Sequence, residues 1–130
     1  MHKIIFLVTL TTCLPAIADW TEVTQMDGEG GTIYIDPLTI TKTTGNSRRA
    51  WYMGDYKERD SDGALSYIAL FEFNCTEGKV RRIRHVTFSG HLGNGESVRS
   101  FDESPAWIYL PPEITVDRVL NFVCAQKLGN

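Results

Sequence analysis

From residue 65 to residue 75 the chain alternates so regularly that it admits little other than a β-strand. Leu65, Tyr67, Ala69, Phe71, Phe73 and Cys75 fall on one face by the period-two rule, with Ser66, Glu72 and Asn74 on the other. Ile68 and Leu70 share that second face, which predicts a central strand partly covered on both sides. Segments 32–35, 48–56, 80–89 and 97–101 are also rich in β-branched and aromatic residues. Between them lie Asp36-Pro37, Gly45-Asn46, Asp60-Ser61-Asp62-Gly63, Thr76-Glu77-Gly78-Lys79 and a connection holding Gly90, Gly93 and Gly95, all of turn chemistry. Short strands joined by short links predict an antiparallel meander. The pattern changes after Trp107-Ile108-Tyr109, because Pro111-Pro112 suits neither strand pairing nor a helix interior. Beyond it Val116, Val119, Leu120 and Val123 recur at helical spacing while Asp117 and Arg118 point elsewhere, as a C-terminal helix lying on the sheet requires. The expectation is one α+β domain.

The N-terminus reads as an export signal. Lys3 supplies a positive start, residues 4–14 an almost unbroken apolar run, and Ala16-Ile17-Ala18 the small-x-small pattern that signal peptidase accepts. Residues 1–18 are therefore expected to leave, with Asp19 first in the exported domain, 19–130. The apolar run is shorter than the roughly 20 residues of a spanning helix, and no later stretch comes closer. Leu10-Thr11-Thr12-Cys13 departs from a lipoprotein cleavage box at Thr12, where a smaller residue is usual, so Cys13 is expected to leave unlipidated with the leader. The net charge of −3 becomes one unit more negative without Lys3, which argues against a dedicated nucleic-acid binder.

Cys75 and Cys124 then remain, and an oxidising compartment leaves them one intramolecular pairing. Closing a loop of about 50 residues contributes on the order of 4 kcal/mol in the chain-entropy model. The alternatives are a metal pair or a redox pair, but there is no C-x-x-C spacing and no nearby histidine to complete a tetrahedral site. Cys124 borders the apolar stripe of the helix and Cys75 ends the best strand, so a bridge between them would fasten one to the other.

Taken in order, Asp19-Trp20, Tyr34-Ile35-Asp36-Pro37, Trp51 with Asp55-Tyr56, Phe71-Glu72-Phe73-Asn74-Cys75, Ser89-Gly90 with Gly95, Pro105-Ala106-Trp107, Pro111-Pro112 and Val123-Cys124 resemble the surface-adhesin protein E family over nearly the whole exported chain. The resemblance implies a bacterial exported protein with an antiparallel sheet of about six strands and a C-terminal helix tethered to one face by a disulfide. It places the cysteine pair at Cys75 and Cys124 and the family's basic stretch at Lys79, Arg81, Arg82 and Arg84. It also implies adhesion to host extracellular-matrix or serum proteins, in the periplasm or at the outer-membrane surface according to how the chain is anchored. The missing lipoprotein box is where this sequence departs from the pattern.

Lys79, Arg81, Arg82 and Arg84 bring four positive charges together with no acid among them, on an acidic protein. They are the candidate partner-binding residues; the plainer role is protection of an exposed strand against edge-to-edge pairing. Simple alternation puts Lys79 and Arg81 on one face and Arg82 and Arg84 on the other. His85 and His91 lack the spacing of a metal pair and read as structural or exposed histidines. Asp60-Ser61-Asp62-Gly63 begins like a calcium loop, but Phe71 stands where a closing glutamate belongs, so it reads as a turn. The glycines around His91 precede a strand rather than a helix, unlike a phosphate loop. Trp20, Trp51 and Trp107 read first as packing residues. No nucleophile, base and orienting group assemble from motifs, so neither a catalytic centre nor a cofactor is expected. The first reading is a non-enzymatic exported binding module for a protein partner; the alternative is a periplasmic structural or envelope-maintenance protein with no host ligand.

Overall fold

The computed structural model describes residues 4–5, 19–102, 106–111 and 114–128. The rest of the leader, with Cys13, and Pro105 and Pro112 lie outside them. Strands β1 (Thr21–Gln25), β2 (Gly31–Ile35), β3 (Thr41–Lys42), β4 (Ser47–Tyr56), β5 (Ser66–Asn74), β6 (Lys79–Phe88), β7 (Ser97–Asp102) and β8 (Ile108–Tyr109) precede one helix, α1 (Thr115–Ala125). All strand pairings are antiparallel, in the order β1-β2-β4-β5-β6-β7. The two short strands extend the edges: β3 follows β2 along β4, and β8 pairs Lys79 and Val80 of β6. The long alternating strand is central, between β4 and β6, as its two-sided apolar character requires.

Helix α1 lies on one face of this sheet. There Ile33, Ile35, Ala50, Tyr52, Ala69, Phe71, Phe73 and Val80 are buried with Val119, Leu120 and Val123 of the helix. The helical spacing read from the sequence is thus the contact stripe. Cys75 and Cys124 are bonded, with Cα atoms 5.8 Å apart, joining the end of β5 to the last turn of α1. A helix of eleven residues is too short to persist alone in water, so the sheet must supply its stability.

It also supplies the helix caps. Ile114, which precedes the helix, offers no capping side chain, whereas Gln126, which follows it, donates from Nε2 to the Phe122 carbonyl at 3.0 Å. At the N-terminus Asp27 accepts from the Thr115 backbone N–H at 3.0 Å, while its own N–H donates to Thr115 Oγ1 at 3.0 Å. At the C-terminus Arg48 Nη1 donates to the carbonyls of Val123 and Gln126 at 2.9 and 2.6 Å. A carboxylate at the N-terminus and a guanidinium at the C-terminus complement the helix dipole, so charge as well as apolar area orients α1.

A row of aromatic rings runs along the helix face: Tyr56, Tyr67, Tyr52, Phe71 and Phe73, each centroid 4.9 to 5.9 Å from the next. Gly54 makes room for it, because a Cβ there would stand 2.3 Å from Tyr67 Cε1. The turn at Asp60 forms as the sequence predicts, with Asp60 Oδ1 accepting from the N–H groups of Asp62 and Ala64 at 2.9 Å. Strand β1 and the two-residue strands carry too little alternation to be read from sequence.

Candidate partner-binding face

The pairing of β5 with β6 decides where the basic residues point. The turn after Asn74 sets Asn74 opposite Lys79, Phe73 opposite Val80, Glu72 opposite Arg81 and Phe71 opposite Arg82. The register then slips, and Leu70 faces Arg84 rather than Ile83. Ile83 is the extra residue of a β-bulge, and a bulge resets the alternation beyond it. Directly paired residues share a face, so Lys79, Arg81 and Arg84 stand together on the side away from the helix, with Arg82 alone on the helix side. Simple alternation had put Arg84 with Arg82. The correction comes from one inserted residue that only the pairing reveals.

Each of the three cations meets an acid from a neighbouring segment. Arg81 Nη2 donates to Glu72 Oε1 at 2.7 Å, and Arg49 Nε, from β4, reaches the other oxygen at 2.9 Å. Glu72 is 2% exposed, so this carboxylate is a buried charge held between two guanidiniums. Arg84 Nε donates to Asp102 Oδ1 at 2.9 Å, on the surface. Lys79 pairs with Glu77, whose hydrogen bond holds the ammonium above the usual lysine range. The run that looks uncompensated in sequence is therefore largely neutralised in space. Two aromatic rings complete the face. Trp107 lies beneath both Arg81, at 4.4 Å from guanidinium carbon to ring centroid, and Lys79, at 5.2 Å; Tyr109 lies 5.6 Å from the same ammonium. Tyr109, paired with Lys79, is exposed on this face, while Ile108, paired with Val80, is exposed on the helix side.

Arg82 faces the tyrosine row, close enough to Tyr52, Tyr56 and Tyr67 to favour their ionised forms. Burial outweighs it. Desolvation pushes the Tyr67 hydroxyl up to about 12 and raises Tyr52 further. His85 stacks on Phe101 with centroids 4.3 Å apart, and His91 Nδ1 lies 3.2 Å from Asp55 Oδ1, where the 89–95 loop folds back over Met53 and Ile68. A shallow cavity of about 410 Å³ is lined by Gly28, Glu29, Gly30, Lys57 and Glu58, away from the basic strand. Among the described residues no cluster of His, Cys, Asp or Glu has the makings of a metal site, and no helix is long and apolar enough to cross a membrane.

Sequence reasoning missed Arg49, Glu72, Asp102, Trp107 and Tyr109 as parts of this face. One signal was available: a four-residue link between Cys75 and Val80 fixes the hairpin register, which sets Glu72 against Arg81. The contributions of β4, β7 and β8 carry no such local mark.

The model of the family described as surface-adhesin protein E matches residues 20–125. Solved structures of Haemophilus influenzae protein E are similar in fold. Crystal form II is 16% identical with a TM-score of 0.62, covering 86% of this chain and 94% of that one. The protein from non-typeable Haemophilus influenzae is 14% identical with a TM-score of 0.57, covering 85% and 80%. No curated protein matches the chain. The solved structures share the fold, and the family match marks the chain as an adhesin-like surface protein. The chain belongs to the surface-adhesin protein E family.

Proposed function

We propose that the protein is a non-enzymatic binding module that holds a host extracellular-matrix or serum protein through the face carrying Lys79, Arg81 and Arg84. The observation that carries this reading is the bulge at Ile83, which gathers three of the four sequence candidates on one side beside Trp107 and the exposed Tyr109. Arginine and large aromatic residues are the side chains that dominate protein interfaces, and cations with a polar rim steer an acidic partner. Arg82 is outside this surface and belongs to the tyrosine row. The test is capture from a panel of matrix and serum proteins by the native chain and by a Lys79→Glu, Arg84→Glu variant. The expected result is at least a tenfold loss of affinity in the variant together with a weaker salt dependence; equal retention removes this face from consideration.

A second reading is an envelope-maintenance protein confined to the periplasm. The neutralisation of Lys79, Arg81 and Arg84 by Glu77, Glu72 and Asp102 favours it, because a face whose charges are already paired offers less to an acidic partner. Labelling of intact cells with an impermeant lysine reagent separates the two: a surface adhesin reacts, and a periplasmic protein reacts only after the outer membrane is opened.

A further inference from the structure

Asp36 is 5% exposed as a residue, and its carboxylate meets two backbone N–H groups: Leu38 donates to Oδ1 at 3.1 Å and Asp19 donates to Oδ2 at 3.3 Å. Among the described residues no side-chain cation pairs with it. A buried carboxylate met by neutral amides alone is an expensive arrangement. Its position is nevertheless well determined. The Asp36 N–H donates to the Trp51 carbonyl at 3.2 Å, and the Asp36 carbonyl accepts from Thr39 Oγ1 at 2.7 Å. Thr39 Oγ1 in turn accepts from the Trp51 N–H at 3.1 Å. On the other side, Thr21 pairs with Ile35, so only Trp20 separates the Asp19 nitrogen from the sheet ladder. Both partners are held by the sheet.

We propose that removal of the leader completes this site: the cut that the sequence places between Ala18 and Asp19 converts the Asp19 amide into an α-ammonium that forms an ion pair with Asp36. In that step water adds across the peptide bond under a signal peptidase; Ala18 leaves with a new carboxylate, and the Asp19 nitrogen, protonated, becomes the cation. An ion pair replaces a hydrogen bond from an uncharged donor at a site the fold has already built. The unprocessed chain lacks it. The exported protein therefore gains its N-terminal ion pair, like its disulfide, only outside the cytoplasm, and a translocating precursor is less firmly folded than the product.

The experiment begins with the mass of the exported protein, which fixes its first residue. Chains beginning at a free Asp19, at an acetylated Asp19, and at a glycine added before Asp19 are then melted at pH 6, each with Asp36 and with Asp36→Asn. The free form is expected to melt about 4 °C above the other two, and the gap to close in Asp36→Asn. The α-amino group of the free form, followed by NMR, should titrate above its ordinary range of about 7.7–8.0. That titration tests the pair directly if Asp36→Asn does not fold. An exported chain starting at another residue, equal melting of the three forms with Asp36 present, a gap that survives Asp36→Asn, or an α-amino group titrating in its ordinary range each overturns the proposal.

Discussion

Asp27 and Thr115, 88 residues apart, exchange two hydrogen bonds, each backbone N–H donating to the other's side chain. The pattern is that of a capping box, but the helix and its cap come from distant parts of the chain. Arg118, one turn into α1, closes the arrangement by donating to Asp27 Oδ1 at 3.1 Å. Arg48 does the corresponding work at the other end, so α1 is placed by two polar contacts and a covalent bond as well as by its apolar stripe.

The hydrogen bonds from Thr115, reinforced by Arg118, hold the Asp27 carboxyl below its ordinary value of 3.8. Because the folded value is depressed, the carboxylate stabilises the fold above that pH, and its contribution disappears as pH falls through the lower folded value. In acid titrations monitored by helix circular dichroism, Asp27→Asn should melt earlier than the native protein near neutral pH. The two curves should converge below pH 3.8.

Breaking the Cys75–Cys124 bond frees the C-terminal end of α1 from the sheet. Denaturant unfolding with and without reductant should show a loss on the order of 4 kcal/mol, and a Cys75→Ala, Cys124→Ala chain should match the reduced form. Unchanged unfolding would mean that the apolar stripe and the two caps suffice.

Burial raises the hydroxyls of Tyr67, to about 12, and of Tyr52. For a group whose folded value is raised, stability is complete below the unfolded value, near pH 10, and is lost as pH climbs toward the folded one. An alkaline titration read by tyrosinate absorbance should therefore show a late fraction that ionises together with loss of structure above about pH 10. Replacing both residues with Phe should remove that late fraction. Smooth titration of all five tyrosines near their ordinary value would contradict the packed row.

Arg81 and Arg84, both on β6, should respond unequally to charge reversal. Arg81→Glu sets a second carboxylate against the buried Glu72 and should cost about 3 kcal/mol. Arg84→Glu, whose side chain is 58% exposed and pairs with an exposed Asp102, should stay within about 0.5 kcal/mol. Paired denaturation curves check both, and they establish which variant is fit for binding experiments.

Period-two alternation in β5, the turn residues after β2, β4 and β5, and the helical spacing of Val116, Val119, Leu120 and Val123 are local features, and local features were legible in the chain alone. So was the cysteine pair, because export leaves few cysteines to choose from. The family membership followed from the order of short motifs. What tertiary structure alone decided is which charge meets which: Glu72 with Arg49 and Arg81, Asp102 with Arg84, Asp27 and Arg48 with the ends of α1. These pairings depend on strand order and on one bulged residue, Ile83, that turns Arg84 to the other face. A side chain's direction in a strand is set by counting residues along the ladder, and an insertion in that count leaves no mark on composition or periodicity.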